Sequence, residues 1–460
     1  MHSPDAVRPG LVLGICCLSL LVVGMDATVV NVAIPAIESG VGGSFQEVQW
    51  VIDGYTLTVA CLLLVMGSVS DRFGQKRTFQ VGLAVFTSAS LLCSAAPDVH
   101  WLIGSRFLQG SGAAMLNPVA LSIIVRTHPE PQARARAIGI WGATFGVALG
   151  LGPIAGAVLS EAFGWRAIFL INLPIGVAAL VLTARCIPES TPSTARAFDP
   201  LGQGLLMVVL GSLTYGVIEG QRLGWGAPWI LGALGLSAVC VALLIAWERR
   251  QDEPLLEMHL FANLPFSGAI GIALIMFAGF AALLFFNALY LQHQRGYSIL
   301  QAALCSLPLA VMASLCGPWS GRLVGRYGPR PSLLMAGAAL MISSALLAQI
   351  GAQTSLGLIG GAYGLFGAGM GLVNPAITTI AVSRLEPSRT GVTAAILSTS
   401  RQLGACWGVA GIGSVMHAGL RQGLGLAQAS QPWWWGMSLL GLVIATLSGF
   451  SKSPRQQLLE

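Results

Sequence analysis

The sequence predicts an all-α polytopic membrane protein with fourteen transmembrane helices. Hydrophobic residues make up 55% of the 460 residues and charged residues only 9%, whereas about one quarter of a soluble domain is charged. Apolar runs of about 20 residues, the length that a helix needs to cross the hydrocarbon core, recur along the whole chain. Two short motifs occur twice in the same order, which indicates a duplicated bundle. Helices are expected because isolated strands cannot satisfy their backbone groups in lipid.

The fourteen predicted segments follow one another with little room for a soluble domain. In chain order they are 11–36, 49–70, 78–96, 99–125, 137–160, 164–183, 201–218, 227–247, 265–292, 300–320, 331–350, 354–382, 394–416 and 433–451. The first is not expected to be a cleaved signal peptide, because its apolar run ends at Pro35 without a small-residue cleavage site. Trp433, Trp434 and Trp435 begin the last segment, where tryptophans typically anchor a helix at the membrane interface.

The distribution of Lys and Arg predicts the orientation of the chain. If the N-terminus is cytoplasmic, 18 of the 24 Lys and Arg residues fall on its side, four fall in the opposite loops, and two lie inside spans. Cytoplasmic loops carry the excess of basic residues, so both termini are predicted to be cytoplasmic. The net charge of +6 then reflects membrane topology, and no nucleic-acid partner is expected.

Two repeated motifs divide the chain into similar halves. In GSVSDRFGQKR and GRLVGRYGPR, at an offset of 254, Gly67, Arg72, Gly74 and Lys76 match Gly321, Arg326, Gly328 and Arg330. In QGSGAAMLNPVA and FGAGMGLVNPAI, at an offset of 257, Gly110, Gly112, Asn117 and Pro118 match Gly367, Gly369, Asn374 and Pro375.

Matching loops must face the same side of the membrane, so an even number of extra spans separates the two copies of six. We therefore predict an N-terminal six-helix bundle at 1–183, two inserted helices with their linkers at 184–262, and a C-terminal six-helix bundle at 263–460. Two similar bundles with a site near the bilayer midplane are the arrangement expected for alternating access.

Three ionisable residues are predicted to share a depth in the first bundle. At about 1.5 Å per residue, Asp26 lies about 15 Å, Arg106 about 10 Å and Asp53 about 6 Å from the outer ends of their spans. A carboxylate whose water access and arginine contact change between two states can take up a proton on one side and release it on the other. Asp26 is the first candidate for this role, or for attracting a cationic substrate. The alternative is a static Asp26–Arg106 pair that orients two helices.

Small residues recur in the fifth span at helical spacing. Gly146 and Gly150, and then Gly152 and Gly156, are four apart, with Pro153 between them. Small residues at this spacing let helices approach closely, and a proline inside a span bends it. Ordinary close packing needs the same residues, so the pattern alone does not assign a transport role.

The second half carries a membrane-embedded arginine without a matching acid. Arg401 and Gln402 lie inside the thirteenth span, while no carboxylate lies within any span of this half. Aromatic residues that include Tyr55 could line an apolar cavity for flat ligands, although packing roles are expected for most of them.

The sequence lacks the patterns of enzymes and metal proteins. The nine cysteines form no C-x-x-C, the six histidines show no metal spacing, and neither a P-loop nor a G-x-S-x-G motif occurs. We therefore expect no metal, no cofactor and no enzymatic activity.

On these motifs the chain resembles the major facilitator superfamily, in its fourteen-span drug/proton antiporter branch of EmrB/QacA type. GSVSDRFGQKR is similar to the signature loop through Gly67, Asp71, Arg72, Gly74, Lys76 and Arg77, with Gln75 replacing a basic residue. RFLQGSGAA, GVALGLGPIAGA, MDATVVNVAIP and FDPLGQGL resemble further elements of the branch in order, with Ala157 replacing a glycine of the antiporter element.

The resemblance implies a major facilitator fold, a gating role for Asp71 and Arg72, proton coupling at Arg106 and a location in the inner or plasma membrane. The leading hypothesis is a proton-coupled exporter of amphipathic, monocationic or neutral organic compounds, whose partners are protons, the substrate and the lipid bilayer. A monomer is compatible with the sequence. A narrow exporter of one natural product, an uptake symporter and a membrane sensor that does not transport remain open alternatives.

Overall fold

Helices form the regular structure of the described chain. The computed structural model describes residues 9–189, 199–251, 258–382 and 390–448. The first helices are α1 Pro9–Val41, α2 Phe45–Phe73, α3 Gln75–Ser94, α4 Val99–Thr127, α5 Pro131–Phe163, α6 Ala167–Leu170, α7 Asn172–Cys186, α8 Pro200–Leu223 and α9 Pro228–Glu248. The later helices are α10 Met258–Phe261, α11 Leu264–Leu289, α12 Ile299–Cys305, α13 Leu307–Tyr327, α14 Pro329–Leu347, α15 Leu356–Val382, α16 Thr390–Arg421 and α17 Leu426–Leu447.

Eleven helical stretches of the described chain are long and apolar enough to cross a membrane. Each of the fourteen predicted segments overlaps at least one helix, but α2, α3 and α17 fall outside the eleven. Polar residues interrupt these three helices, as in α3, which begins with Gln75, Lys76 and Arg77. The apolar helices confirm a polytopic helical protein, and the count of fourteen crossings remains a prediction.

Two predicted spans are each divided by a break into two α-helices. Segment 164–183 divides into α6 and α7 at Ile171, and segment 300–320 divides into α12 and α13 at Ser306. Pro174 and Pro308 follow these breaks closely, and a proline lacks the N–H that would continue the hydrogen-bond ladder of the preceding turn. The first break makes Asn172 the opening residue of α7, which matters for the site described below.

The tryptophan run lies inside the last helix rather than at its first residue. Helix α17 begins at Leu426, so Trp433–Trp435 lie two turns inside it. The Trp434 side chain is fully buried and contacts the Phe286 ring edge-on at a centroid distance of 5.6 Å. Trp434 therefore packs in the protein interior rather than anchoring the helix in the interface.

The chain forms two compact units, Met1–Gly43 with Trp50–Pro200, and Ser44–Gln49 with Leu201–Glu460. In the first unit α1 packs on α4, α5 and α7, and α3 packs on α4 and α7. In the second unit α11 packs on α15 and α16, and α14 packs on α15 and α17. The second unit includes α8, which contacts α16 where Ser414 Oγ donates to the Val217 carbonyl at 2.7 Å. The three-part division at 183 and 262 remains a prediction.

The duplicated loop motif has a glycine with positive φ at the matching position in both units. Gly74 precedes α3 with a φ of 95°, and Gly328 precedes α14 with a φ of 81°. L-residues with a side chain rarely adopt this region, so glycine is the residue that allows each sharp turn.

The helix contacts repeat as well, residue for residue. In each of five matched pairs, a glycine of one helix packs on the equivalent residue of a neighbouring helix. The contacts of the first unit are Gly110 on the Tyr55 carbonyl, Gly112 on Gly82, Gly152 on Met25, Gly156 on Val29 and Gly176 on Thr87. Their counterparts in the second unit are, in the same order, Gly367 on the Leu309 carbonyl, Gly369 on Ala336, Gly404 on Leu274, Gly408 on Ala278 and Gly441 on Met341. These pairs equate α1, α2, α3, α4, α5 and α7 with α11, α13, α14, α15, α16 and α17. The sequence repeat is therefore a repeat of tertiary packing.

Candidate functional site

Asp26 is the centre of a polar cluster inside the first unit. Its side chain is completely buried in the middle of α1. The Oδ2 atom accepts a hydrogen bond from Arg106 Nη1 at 2.6 Å, and Oδ1 accepts from Gln109 Nε2 at 2.8 Å and Asn172 Nδ2 at 2.9 Å. Every partner is a donor, and an ionised carboxylate offers only acceptors. The arrangement therefore suits an ionised Asp26.

Arg106 and Gln109 reach the carboxylate together from α4. They are three residues apart and so share one face of the helix. Arg106 Nη1 also donates to Gln109 Oε1 at 2.6 Å, and its Nε donates to the Val51 carbonyl of α2 at 3.0 Å. The guanidinium carbon lies 4.2 Å from the centroid of the Tyr55 ring, within cation–π distance. Arg106 is thus held by both polar and aromatic contacts.

Two members of the cluster, Asn172 and Ser90, were missed in the sequence. Asn172 opens α7, and its Nδ2 also lies 3.3 Å from Ser90 Oγ of α3. Ser90 Oγ accepts from Gln109 Nε2 at 2.7 Å and donates to the Phe86 carbonyl at 2.9 Å. Both side chains are buried. A single Asn or Ser in an apolar span does not reveal its partners, and Pro174, two residues after Asn172, was the one local signal of the helix break.

Glycines bring the helices close enough for these bonds. At Gly110 a Cβ atom would lie 2.7 Å from the Tyr55 carbonyl oxygen, so α4 touches the backbone of α2 one turn from Arg106. At Gly152 a Cβ atom would lie 3.3 Å from the Met25 carbonyl oxygen, next to Asp26. The glycines therefore set the helix spacing around the cluster.

The second unit builds the equivalent junction without a charge. By the matched contacts above, the counterparts of Asp26, Arg106, Gln109 and Asn172 are Ile275, Tyr363, Phe366 and Met437. Phe366 and Met437 both lie against Gly279 of α11, much as Gln109 and Asn172 converge on α1. The second unit thus builds the matching helix junction with uncharged side chains.

Asp53 lies near the cluster along α2. Its side chain is completely buried, and it falls in sequence between Val51, whose carbonyl accepts from Arg106, and Tyr55, whose ring lies under the guanidinium. The structure brings Asp26 and Arg106 together directly. A functional role for Asp53 remains a prediction.

The glycines of the fifth span differ in what they touch. Gly152 and Gly156 pack on Met25, Thr28 and Val29 of α1, whereas a Cβ atom at Gly146 would have no described atom within 4 Å. Pro153 lies inside α5 between the two packing glycines, and Gly150 belongs to the same helix. Gly152 and Gly156 thus perform the predicted close packing, directly beside Asp26.

Lys76 of the signature loop and Arg126 of α4 bind carbonyl groups at and just beyond the end of α7. Lys76 Nζ donates to the Ala184 carbonyl at 2.9 Å, and Arg126 Nη2 donates to the Pro188 carbonyl at 3.1 Å. Arg77 Nε lies 4.0 Å from Glu189 Oε1 with both side chains well exposed, an arrangement that contributes little stability. Cations complement the partial negative charge at a helix C-terminus. These contacts lie within the first unit.

The remaining loop residues have fewer described contacts. Arg72 is exposed, with its guanidinium carbon 5.8 Å from the Phe73 ring centroid. The side chain of Asp71 and the environment of Gly67 lie outside the described part of the structure. The gating role predicted for Asp71 and Arg72 therefore stays a prediction.

The second-half candidates occupy two separate places. Arg326 is exposed in the last turn of α13, close to Gly328, with its guanidinium carbon 5.2 Å from the Tyr327 ring centroid. Arg401 lies inside α16, where Nη2 donates to Thr378 Oγ1 at 3.3 Å, and Gln402 next to it is half-buried. No group of three His, Cys, Asp or Glu residues within the described ranges could hold a metal ion.

Comparison with known proteins places the chain among membrane transporters. The sequence pattern of the Major Facilitator Superfamily matches residues 16–409. Multidrug resistance protein Stp of Mycobacterium tuberculosis (strain CDC 1551 / Oshkosh) is 34% identical over 403 residues, covering 88% of this chain and 75% of that protein. The tetracenomycin C resistance and export protein of Streptomyces glaucescens is 32% identical over 422 residues, covering 90% and 78%.

Solved structures share the fold. The crystal structure of the POT family transporter PepTSo aligns over 97% of this chain and 99% of that chain with a TM-score of 0.68 and 14% sequence identity. At this identity the likeness establishes the fold and leaves the substrate undefined.

Proposed function

The chain belongs to the major facilitator superfamily, and from this premise we propose that it is a proton-coupled exporter of amphipathic organic compounds. It is a membrane transporter and not an enzyme. Relatives named for multidrug resistance and for antibiotic resistance and export support drug efflux as the direction and class of transport. Proton coupling, antiport and the substrate class belong to the proposal.

The buried Asp26–Arg106 pair is the observation that carries the proposal. A carboxylate inside a membrane protein costs about 2.5–3.5 kcal/mol even on insertion scales. The counterpart residues of the second unit are uncharged, so building this kind of helix junction does not explain the cost of the charge. A group that exchanges a proton supplies a reason for keeping a carboxylate there.

The bonding pattern of the cluster supports a proton-exchange role for Asp26. While Arg106 contacts Asp26, the carboxylate is ionised and fully paired. Arg106 also has Gln109 Oε1 and the Val51 carbonyl as acceptors, so a shift of α4 relative to α1 leaves its charge partly satisfied while Asp26 loses its cation. Asp26 then binds a proton from the outside, and renewed pairing releases that proton to the inside.

The proton gradient supplies enough free energy for this cycle. Each proton delivers about 2.3 kcal/mol per 100 mV of membrane potential and about 1.36 kcal/mol per pH unit. Gly152 and Gly156 pack on α1 beside Asp26, so the α1–α5 interface is next to the proposed proton-exchanging residue. Movement at that interface would couple substrate binding to Asp26.

The topology of the proposal has fourteen spans, both termini in the cytoplasm and the plasma membrane as location. The resemblance to the EmrB/QacA branch and the basic loops support it. On this topology Lys76, Arg77 and Arg126 face the cytoplasm, and the signature loop gates that side. The transporter functions as a monomer in this scheme, as its two units already form both halves.

The test is export of fluorescent amphiphiles from cells that lack their own pumps, with and without an uncoupler. Ethidium, neutral 1-pyrenebutanol and acidic 1-pyrenebutyrate form the panel. Wild type is expected to export at least one of them in an uncoupler-sensitive way, and Asp26→Asn to lose that export because the amide cannot exchange a proton. Equal, uncoupler-sensitive export by an Asp26→Asn variant that reaches the membrane in normal amount would refute proton coupling at Asp26.

A further inference from the structure

Arg401 is a membrane-embedded cation whose charge is not neutralised within the described structure. It lies on α16 against the middle of α11, with its guanidinium carbon 5.7 Å from the Phe277 ring centroid. Its hydrogen bond is to Thr378 Oγ1 of α15, at a long 3.3 Å. The Thr378 hydroxyl itself donates to the Asn374 carbonyl at 2.8 Å, so it remains an acceptor for the arginine.

The Nε atom of Arg401 is buried and has no acceptor in the described part of the protein. Helices α11–α17 contain no Asp or Glu, so no carboxylate on these helices can pair with it. An unpaired buried donor loses the solvation it had in water, and a charge inside a membrane bundle is expensive. An anionic acceptor at this position would therefore stabilise the Arg401 side chain.

Arg106 shows how the same side chain behaves when its role is internal. Arg106 is almost completely buried, contacts Asp26, Gln109 and Val51, and lies 4.2 Å from the Tyr55 ring centroid. Arg401 is only half-buried and has one weak hydrogen bond. Arg106 therefore has acceptors for both its Nε and Nη1 atoms, whereas the Nε atom of Arg401 has none among the described residues.

We propose that Arg401 binds an acidic group of the transported compound, a carboxylate or a comparable planar oxyanion. The Nε and Nη2 atoms form the edge of guanidinium that matches a carboxylate with two parallel hydrogen bonds, and Nη2 is held there only weakly. The Phe277 ring beside it suits an apolar body. This inference rests on the proposed export function and narrows its substrate class to amphipathic acids, in place of the monocationic class.

The test is binding of two matched probes to the purified full-length protein. The probes are 1-pyrenebutyrate and its neutral carboxamide, followed by energy transfer from the protein's tryptophans to pyrene. Wild type is expected to bind the acid more tightly than the amide. Arg401→Gln should raise the Kd of the acid by about tenfold or more, the scale of one charge-assisted hydrogen bond, and leave the Kd of the amide unchanged within about twofold.

Two further variants separate charge from position. Arg401→Lys keeps the charge but loses the planar fork, so we expect an intermediate Kd for the acid. Arg421→Gln removes an exposed arginine at the end of the same helix and should change neither Kd. Equal weakening of both probes by Arg401→Gln, or a wild type without preference for the acid, overturns the inference.

The outcome is distinguishable from failure of the proposed function. Asp26→Asn should keep the preference for the acid while losing uncoupler-sensitive export. A preserved preference in a wild type that exports nothing would reject proton-driven export and retain the Arg401 site. Proton-driven export of ethidium or pyrenebutanol without any preference for the acid would retain the proposed export function and reject the Arg401 site.

Discussion

Each charge of the Asp26–Arg106 pair depends on the other for its place in the membrane. Removing one partner of a buried pair leaves an uncompensated charge and costs about 3–5 kcal/mol, whereas replacing the whole set with well-packed apolar residues is often neutral or stabilising. The second unit already contains such a set in Ile275, Tyr363, Phe366 and Met437. Substituting this apolar set into the first unit separates the contribution of the cluster to stability from its contribution to transport.

We therefore predict opposite stability effects for two variants of the cluster. Asp26→Ile alone should lower the free energy of unfolding by about 3–5 kcal/mol, because Arg106 stays buried without its partner. Combining Asp26→Ile with Arg106→Tyr, Gln109→Phe and Asn172→Met should recover most of that loss, because the counterpart junction packs with these residues. Thermal unfolding of the purified proteins measures both.

Transport provides the second readout for the same pair of variants. Neither should export any compound in a proton-dependent way, since both lack a group that exchanges a proton at this position. A stable fourfold variant that still transports would show that the cluster is structural. A fourfold variant less stable than Asp26→Ile would contradict the equivalence of the two junctions.

The sequence predicted the charged members of the site but not their neutral partners. Asp26 and Arg106 stood out because charges are rare in apolar spans, and helix rise placed them at a common depth. Asn172 and Ser90 have no such signal, because an amide or a hydroxyl is common in membrane helices and its partner depends on rotation of two helices. The burial of Trp434 has no such signal either, because it depends on where α17 begins.

At the level of helices, the glycines of α5 illustrate how one sequence pattern covers two situations. A Cβ atom at Gly156 would lie 2.5 Å from Val29 Cγ2 and 3.1 Å from the Val29 carbonyl oxygen, whereas one at Gly146 would have no described atom within 4 Å. Gly156→Ala should therefore destabilise the protein by about 1–3 kcal/mol, the usual cost of overpacking, and slow export by separating α1 from α5.

Gly146→Ala is the matched control for this prediction. It adds the same methyl group to the same helix and should leave the melting temperature unchanged or slightly raised, since alanine favours helix over glycine. Comparable destabilisation by both substitutions would mean that helix propensity, rather than the α1–α5 contact, governs α5.

Helix existence was easier to predict from sequence than helix continuity. Apolar runs identified a helix in every predicted segment, but the breaks at Ile171 and Ser306 were not foreseen. Both breaks lie within continuous apolar sequence, where hydropathy carries no information about backbone hydrogen bonds. Pro174 and Pro308 were the available signals, and a proline in a membrane helix does not by itself distinguish a bend from a break.

For the whole molecule, the duplication was predictable because it left identical residues in two loops and two helices. The structure extends it to contacts between helices that share little sequence, such as Gly156 with Val29 and Gly408 with Ala278. Such contacts could not be predicted, because a glycine is their only sign in the sequence. The chain has 58 glycines, and the sequence does not show which of them lie at helix contacts. Neither hydropathy nor helix length decides whether α2, α3 and α17 cross the membrane, so the total number of crossings stays a prediction.

Reporter fusions at five positions decide whether these three helices cross the membrane. If they do, alkaline phosphatase fused after Gly43, Ala96 or Gly423 should be active outside the cell. Green fluorescent protein fused after Gly74 or Glu460 should fluoresce inside, because the basic loops stay in the cytoplasm. Phosphatase activity after Gly43, Gly74 and Ala96 alike would show that α2 and α3 do not cross. An alternating pattern of the opposite sense would keep fourteen spans but reverse the predicted orientation.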